Sequence, residues 1–435
     1  MHLTTIFDRR FSWWLLAFLL APALVQAENW PHWRGPRLDG TSTEKGLPVK
    51  WSKTENVAWR FDLPGIAGST PVVWGDRIFL TSADGEDLVL LCVSTQGKQL
   101  WRHLVGKGGK AMIRGDEGNF ASPSPTTDGK HIWTMMGNGL LACYTVEGKP
   151  VWNFDVQDRY GKLKIAFGMP ASLIVDGDRL YVQLIHGEGN PQTREAVVVC
   201  VNKETGAEIW KQDRASDARD ECEHSYASPT LYRDEKRAYL LTHGADYVVA
   251  HDLYDGHEIW RCGDLNPKGS YNPTLRFVSS PVAADGMIVV PSAKGGPVFA
   301  IKPEAMGDIT DKEDAFFWKR PRGTPDVPSP LIHDGIVYLF RENGNLVAVD
   351  SKTGKDLYEK RTTDGRSRTS PLFADGKIYI ASRTGVVNVV KAGKEFELLS
   401  QNKMEEDISS SFAVSNGRIY IRTWKALYAI GGPTN

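Results

Sequence analysis

The side chains best able to do chemistry lie in short polar runs, most of them just ahead of a small residue and a proline. They are Arg114, Asp116, Glu117 and Asn119 in MIRGDEGNF; Glu221, Glu223, His224 and Tyr226 in ECEHSY; Arg276 in TLRF; Asp326 in TPDVP; Arg366 and Arg368 in DGRSR; and Glu406 and Asp407 in EEDIS. Arg366 and Arg368 could hold a carboxylate bidentately, or pair with Glu406 and Asp407 of the next run. His224, beside two acids, is a candidate metal ligand, set against the plainer reading of a polar loop tip in water. His-Glu-x-x-His, Gly-x-x-x-x-Gly-Lys-Ser/Thr and Gly-x-Ser-x-Gly are all missing from the sequence, which removes the common hydrolase and kinase signatures. No catalytic residue and no metal set is assigned. The candidate ligand-binding set is Arg114, Asp116, Glu117, Asn119, Glu223, His224, Tyr226, Arg276, Arg366, Arg368 and Asp407, and its mixed charge suits a polar or zwitterionic ligand or a water-filled mouth.

What must position these residues is a repeat. Gly-x-x-x-Trp recurs at Gly97–Trp101, Gly148–Trp152, Gly206–Trp210 and Gly256–Trp260. Self-similarity at this spacing points to a stacked array of one supersecondary unit. Units open at Thr70-Pro71, Ser124-Pro125, Met169-Pro170, Ser228-Pro229, Ser280-Pro281, Ser329-Pro330, Ser370-Pro371 and Ser411-Phe412. Turn dipeptides such as Asp285-Gly286, Asp334-Gly335 and Asn416-Gly417 follow, flanked by alternating apolar residues, the signal of a tight hairpin. A third strand carries a small residue: Cys92, Cys143, Cys200, Ala250, Ala300, Ala348 or Ala429. A fourth carries the ring: Trp101, Trp152, Trp210, Trp260, Trp318 or Tyr358. Four short antiparallel strands make a propeller blade. The fold class is therefore all-β, an eight-bladed β-propeller, and the polar runs ring one mouth of its channel.

The eighth unit stops at Ile430 without a fourth strand, while Asn56–Asp62 carries Trp59 ahead of the first. Pairing these two ends closes the ring and removes an exposed sheet edge. Seven blades would result if the weak unit holding Phe396 and Leu398 were not a blade. The repeat rings Trp59, Trp101, Trp152, Trp210, Trp260 and Trp318 are structural, each able to cover a neighbouring turn. Trp30, Trp33 and Trp74 lie off the repeat and are better placed to stack on a ligand.

Residues 1–27 read as a secretory leader: Arg9 and Arg10, an apolar stretch from Phe11 to Val25, and Val25-Gln26-Ala27 as the cleavage pattern. The apolar run is shorter than a spanning helix wants, and the first cysteine is Cys92, so a lipid anchor at the cleavage site is disfavoured. We expect an exported mature chain, periplasmic or extracellular, with no transmembrane segment. Residues 28–55 form an extension packing on the propeller, and 56–431 the propeller itself. Five cysteines make no disulfide scaffold; three are small apolar fillers, and a bridge between Cys222 and Cys262 is left open. The net charge of −1 argues against nucleic acid as a partner.

The run Ala348-Val349-Asp350-Ser351-Lys352-Thr353-Gly354, with Gly206 to Trp210, resembles the quinoprotein, or pyrroloquinoline-quinone-like, repeat. The mature start, Asn29-Trp30-Pro31-His32-Trp33-Arg34-Gly35-Pro36, resembles that of exported bacterial members. That resemblance implies either a binding scaffold without cofactor, as in the outer-membrane assembly lipoprotein, or a dehydrogenase using pyrroloquinoline quinone with Ca²⁺. Neither the vicinal Cys-Cys pair of the alcohol dehydrogenases nor a Cys-x-x-Cys-His haem motif occurs here. The expectation is a non-catalytic scaffold for a protein or glycan ligand, with no cofactor. Quinone-dependent oxidation of an alcohol or sugar is the alternative.

Overall fold

The structure, a computed structural model, describes residues 2, 27–109, 118–187 and 195–432. Its strands form eight antiparallel sheets of four strands, two of which gain a short fifth strand. In the first blade Val72–Trp74, Arg77–Asp84, Asp87–Ser94 and Gln99–Lys107 pair in chain order. The Asp-Gly and Asn-Gly turns do what their chemistry allows: Asp285, Asp334, Asp375 and Asn416 sit at φ of 52°, 48°, 51° and 54°, each followed by a glycine also at positive φ. Val57–Asp62 pairs antiparallel with Ala426–Ile430, placing Trp59 opposite Ala429, so the two ends close the eighth blade together. Leu398–Lys403 is a genuine outer strand of the seventh blade, which removes the seven-blade alternative.

The Gly-x-x-x-Trp spacing records a contact between neighbouring blades. Trp101 stands opposite Cys92, Trp152 opposite Cys143, Trp210 opposite Cys200 and Trp318 opposite Ala300, with a register shift immediately beyond each. A small residue suits the bulge that this shift makes. Each ring then lies over the turn glycine of the next blade. A Cβ on Gly97 would come within 2.7 Å of Trp59, one on Gly206 within 2.9 Å of Trp152, and one on Gly354 within 2.8 Å of Trp318. Those glycines also hold φ of 82°, 68° and 70°, so both the backbone and the covering ring exclude a side chain. The indole N–H donates to a carbonyl of the covered blade, Trp59 to Thr95 O (2.8 Å) and Trp318 to Ser351 O (2.8 Å).

One sequence expectation is corrected, and one question left open is answered. The residue two before the innermost strand of the third blade is Ser172, ahead of Ile174–Asp176, so the unit opens at Ser172-Leu173 and not at Met169-Pro170; a proline two residues early mimicked the pattern. Cys222 and Cys262 are both free and buried. The Cys222 thiol donates to Asn272 O (3.1 Å) and that of Cys262 to Gly263 O (3.4 Å).

The seventh blade lacks the ring: Ser400 stands opposite Val389 where other blades place tryptophan or, in the sixth, Tyr358. Trp51 of the N-terminal extension fills the gap. It is 4% exposed, stacks on Tyr379 with centroids 6.4 Å apart, and its backbone N–H donates to Asn402 Oδ1 (2.9 Å). The repeat rings meet the same second-strand position, Trp59 on Tyr420 at 6.1 Å and Trp210 on Tyr181 at 6.0 Å. Trp51→Ala should destabilise the protein by about 3–5 kcal/mol in urea unfolding at unchanged m-value. A loss below about 1 kcal/mol would show that the seventh blade needs no borrowed ring.

Candidate functional site: an axial well

The eight opening residues meet at the axis in a closed cycle of hydrogen bonds. The Thr70 N–H donates to Ser124 Oγ (2.9 Å), Ser124 to Ser172 (3.3 Å), Ser172 to Ser228 (2.9 Å) and Ser228 to Ser280 (2.9 Å). Ser280 donates to Ser329 (2.9 Å), Ser329 to Ser370 (2.9 Å), Ser370 to Ser411 (3.2 Å), and Ser411 back to Thr70 Oγ1 (3.1 Å). Each innermost strand thereby ends on a hydroxyl supplied by the next blade, which satisfies an amide that the sheets leave unpaired. A small polar side chain is the only kind that fits and bonds there.

One end of this channel is closed by the extension. Trp30 and Val73 exchange backbone bonds (2.7 and 2.8 Å), Thr127 N–H donates to Pro31 O (3.0 Å), and His32 Nδ1 lies 2.6 Å from Thr126 Oγ1. The buried Arg34 guanidinium donates to Pro330 O (2.6 Å), Pro371 O (2.9 Å) and Asp39 O (2.8 Å), and Phe373 N–H donates to Gly40 O (2.9 Å). Burial pulls the Arg34 pKa down to about 10, with Asp39 opposing, so it remains a cation. This strap ties innermost strands on opposite sides of the ring and leaves Trp33 lining the channel from below. The result is a blind well of about 260 Å³, walled by the hydroxyls and bordered by Asn119, Phe167, Tyr226, Arg276, Asp326 and Arg368.

The mouth is charged but paired. Arg368 lies 3.1 Å and Arg366 3.8 Å from Glu342 Oε1, and Arg276 lies 3.5 Å from Glu221 while stacking over Phe167 at 5.4 Å. Burial holds the Glu342 carboxyl above its usual range; Arg368 opposes this, and a hydrogen bond with Asp326 reinforces it. The connections at 214–227 and 266–278 are knitted into one wall. Tyr226 N–H donates to Phe277 O (2.7 Å), and Tyr271 OH donates to Asp246 Oδ2 (2.8 Å) while accepting the Arg219 N–H (2.9 Å).

Of the residues singled out in the sequence, Asn119, Tyr226, Arg276 and Arg368 come together at the well, with Asp326. Arg114, Asp116 and Glu117 lie outside the described residues. Glu223 is buried against Gly187, and His224 is turned the same way, its Nε2 3.2 Å from Gly187 O and its Nδ1 3.5 Å from Tyr226 OH. Asp407 is half-buried beside the mouth and its carbonyl accepts the Trp424 N–H (2.9 Å). Among the described residues the acid that the two arginines meet is Glu342, while Glu406 is held by Arg60 (3.3 Å) and Tyr428 (3.0 Å). Among the described residues, the one grouping of three metal-ligand types is Asp252, Asp255 and His257. It lies on an outer turn, where Asp252 accepts the Tyr254 N–H (2.7 Å). Sequence reading missed Phe167, Glu342 and the hydroxyl cycle; the serines were visible, but only as small residues.

This architecture, eight blades of the Ala-x-Asp-x-x-Thr-Gly type around a plugged axis, defines a pyrroloquinoline-quinone-like repeat propeller. The family model described as outer membrane protein assembly factor BamB matches residues 86–260, 137–382 and 194–431, and the chain belongs to that family. No curated protein matches the sequence. In fold it is similar to BamB from Moraxella catarrhalis, with TM-score 0.62 and 16% identity over 86% of this chain and 99% of that one. It is also similar to a europium-containing methanol dehydrogenase, with TM-score 0.71 and 11% identity over 92% of this chain and 90% of that one. A quinohemoprotein alcohol dehydrogenase from Comamonas testosteroni gives TM-score 0.65 and 13% identity over 94% of this chain and 81% of that one. At these identities the likeness is one of fold, shared by an assembly factor and by dehydrogenases alike.

Proposed function

We propose that this protein is an exported, non-catalytic binding propeller that takes a protein or glycan partner on the face bearing the mouth of the well. The observation that supports this most is the well itself: blind, walled by hydroxyls already fixed to backbone amides, and rimmed by arginines paired with acids. It offers recognition groups held rigidly, and among the described residues no nucleophile is set beside a base there. The leader read in residues 1–27 supports export, and among the described residues no helix is long and apolar enough to cross a membrane.

The described residues speak against a quinone with calcium in the well. Such a group needs a flat slot between two apolar faces and a cluster of oxygen ligands for the ion. Here the wall is a belt of hydroxyls, and the mouth carboxylates Asp326, Glu342 and Glu221 are each hydrogen-bonded to another group or paired with an arginine. Two measurements test the reading. A photo-crosslinking side chain at Asp326 should give partner adducts from the native extract of the source cell, while one at Tyr254, on a turn at the strap side, should not. Tight, stoichiometric binding in an optical titration with pyrroloquinoline quinone and Ca²⁺ would overturn it.

A further inference from the structure

Resting on that reading, we propose that the well binds the terminal neutral sugar ring of a glycan, inserted end-on. The first ground is the hydroxyl cycle. Every one of its eight oxygens accepts a backbone N–H, and among the described residues none donates its own proton to a protein acceptor. The amide fixes the oxygen, so each O–H can only be satisfied by what fills the well. A belt of donors around an axis fits a compact ligand carrying oxygens around its perimeter.

The floor supplies the complementary surface. Trp33 is half-buried, stands outside the repeat and lines the well, with the Arg34 guanidinium 5.6 Å from its ring centre. It covers no turn glycine, unlike the repeat rings, and the strap that holds it is bonded on both sides of the axis. An aromatic face takes the C–H face of a sugar, while planar groups at the rim take adjacent hydroxyls in pairs. Arg276, Arg368 and Asp326 are those planar groups.

Charge and size narrow the class. Each mouth arginine already has an acid, Arg276 with Glu221 and Arg368 with Glu342, so a further anion meets carboxylates, and a bare cation meets arginines and hydroxyl protons. A volume of about 260 Å³ falls below the roughly 300–1,000 Å³ of pockets that take larger ligands, which leaves room for one ring. Because the strap closes the far end, a polymer cannot thread through, and only its end can enter.

The test uses the full chain and a set of methyl hexopyranosides, with glucuronate, inorganic phosphate and Ca²⁺ as comparators, in saturation-transfer NMR and calorimetry. At least one neutral methyl hexoside should bind with millimolar affinity, weakened about tenfold or more by Trp33→Leu. The double variant Ser280→Thr, Ser329→Thr should do the same by narrowing the belt. Thr70 already serves in the cycle, so this second variant should keep its melting temperature and still decides the matter if Trp33→Leu fails to fold. Absence of any sugar binding, survival of binding in both variants, or tighter binding of glucuronate or phosphate would overturn the inference. If sugars fail while the crosslinks at Asp326 form on a protein, the partner reading stands and only the ligand class falls; if both fail, both fall.

Discussion

Acidification from about pH 7 to about pH 4 is expected to unfold the ring in one cooperative step. Four histidines are buried as neutral rings: burial pulls His32, His186 and His251 down to about 4 and His243 to about 3. His251 sits between Thr242 Oγ1 (3.0 Å) and Gly256 O (3.1 Å), whereas His243 packs edge-on against Phe277 at 5.0 Å. Each folded value lies below that of the unfolded chain, so the stabilisation is whole above about pH 6.5 and is lost as pH falls toward the folded values. Together the four correspond to roughly 15 kcal/mol, comparable with the whole stability of a domain. Asp246 acts in the opposite sense: burial raises it to about 6, so its contribution is present at low pH and lost as pH rises through that value. Asp246 and Glu342, both raised by burial, do not offset four imidazoles. Far-UV circular dichroism against pH checks the transition, and His243→Leu should move its midpoint to lower pH; an unmoved midpoint would refute the assignment.

Replacing Val57–Asp62 by a Gly/Ser linker of equal length should abolish cooperative thermal unfolding of the whole propeller. The strand carries Trp59 against Tyr420 and over Gly97, and its ladder to Ala426–Ile430 is the one junction that closes the circle. Loss of the ring alone corresponds to about 3–5 kcal/mol, and the uncovered edge of Ala426–Ile430 adds a tendency to associate. Calorimetry with light scattering checks both effects. A variant that melts like the parent, without aggregation, would mean that closure contributes little.

The fold was legible because its signals are local and repeated. Asp334-Gly335 fixes a hairpin, Gly206 and Trp210 fix a blade contact, and the strand at Trp59 stands apart at one end of the chain as the counterpart of the one missing at the other. The site was legible only where polarity marked it, as at Arg276 and Arg368. Glu342 escaped because it lies on a second-to-third strand turn, away from the unit openings, and reaches the mouth only through the register of its blade. The cycle escaped because Ser124 or Ser280 has no partner within its own unit; each hydroxyl serves an amide of the preceding blade, as Ser280 does for Ser228 at a separation of 52 residues and Thr70 for Ser411 at 341. Met169-Pro170 misled for the same reason, since a dipeptide can copy the pattern without reaching the axis.

The strap also sets an order of events. Trp30 and His32 dock on Val73 and Thr126 of the first two blades, but Arg34 bonds to Pro371 and Trp51 is buried on Tyr379, partners that emerge more than 300 positions later. Contacts of that sequence separation form slowly. A nascent chain stalled before the seventh blade would therefore carry Trp51 exposed, sticky and open to chaperones and proteases, and the strap would be anchored on one side of the axis only until the last blades close the floor of the well.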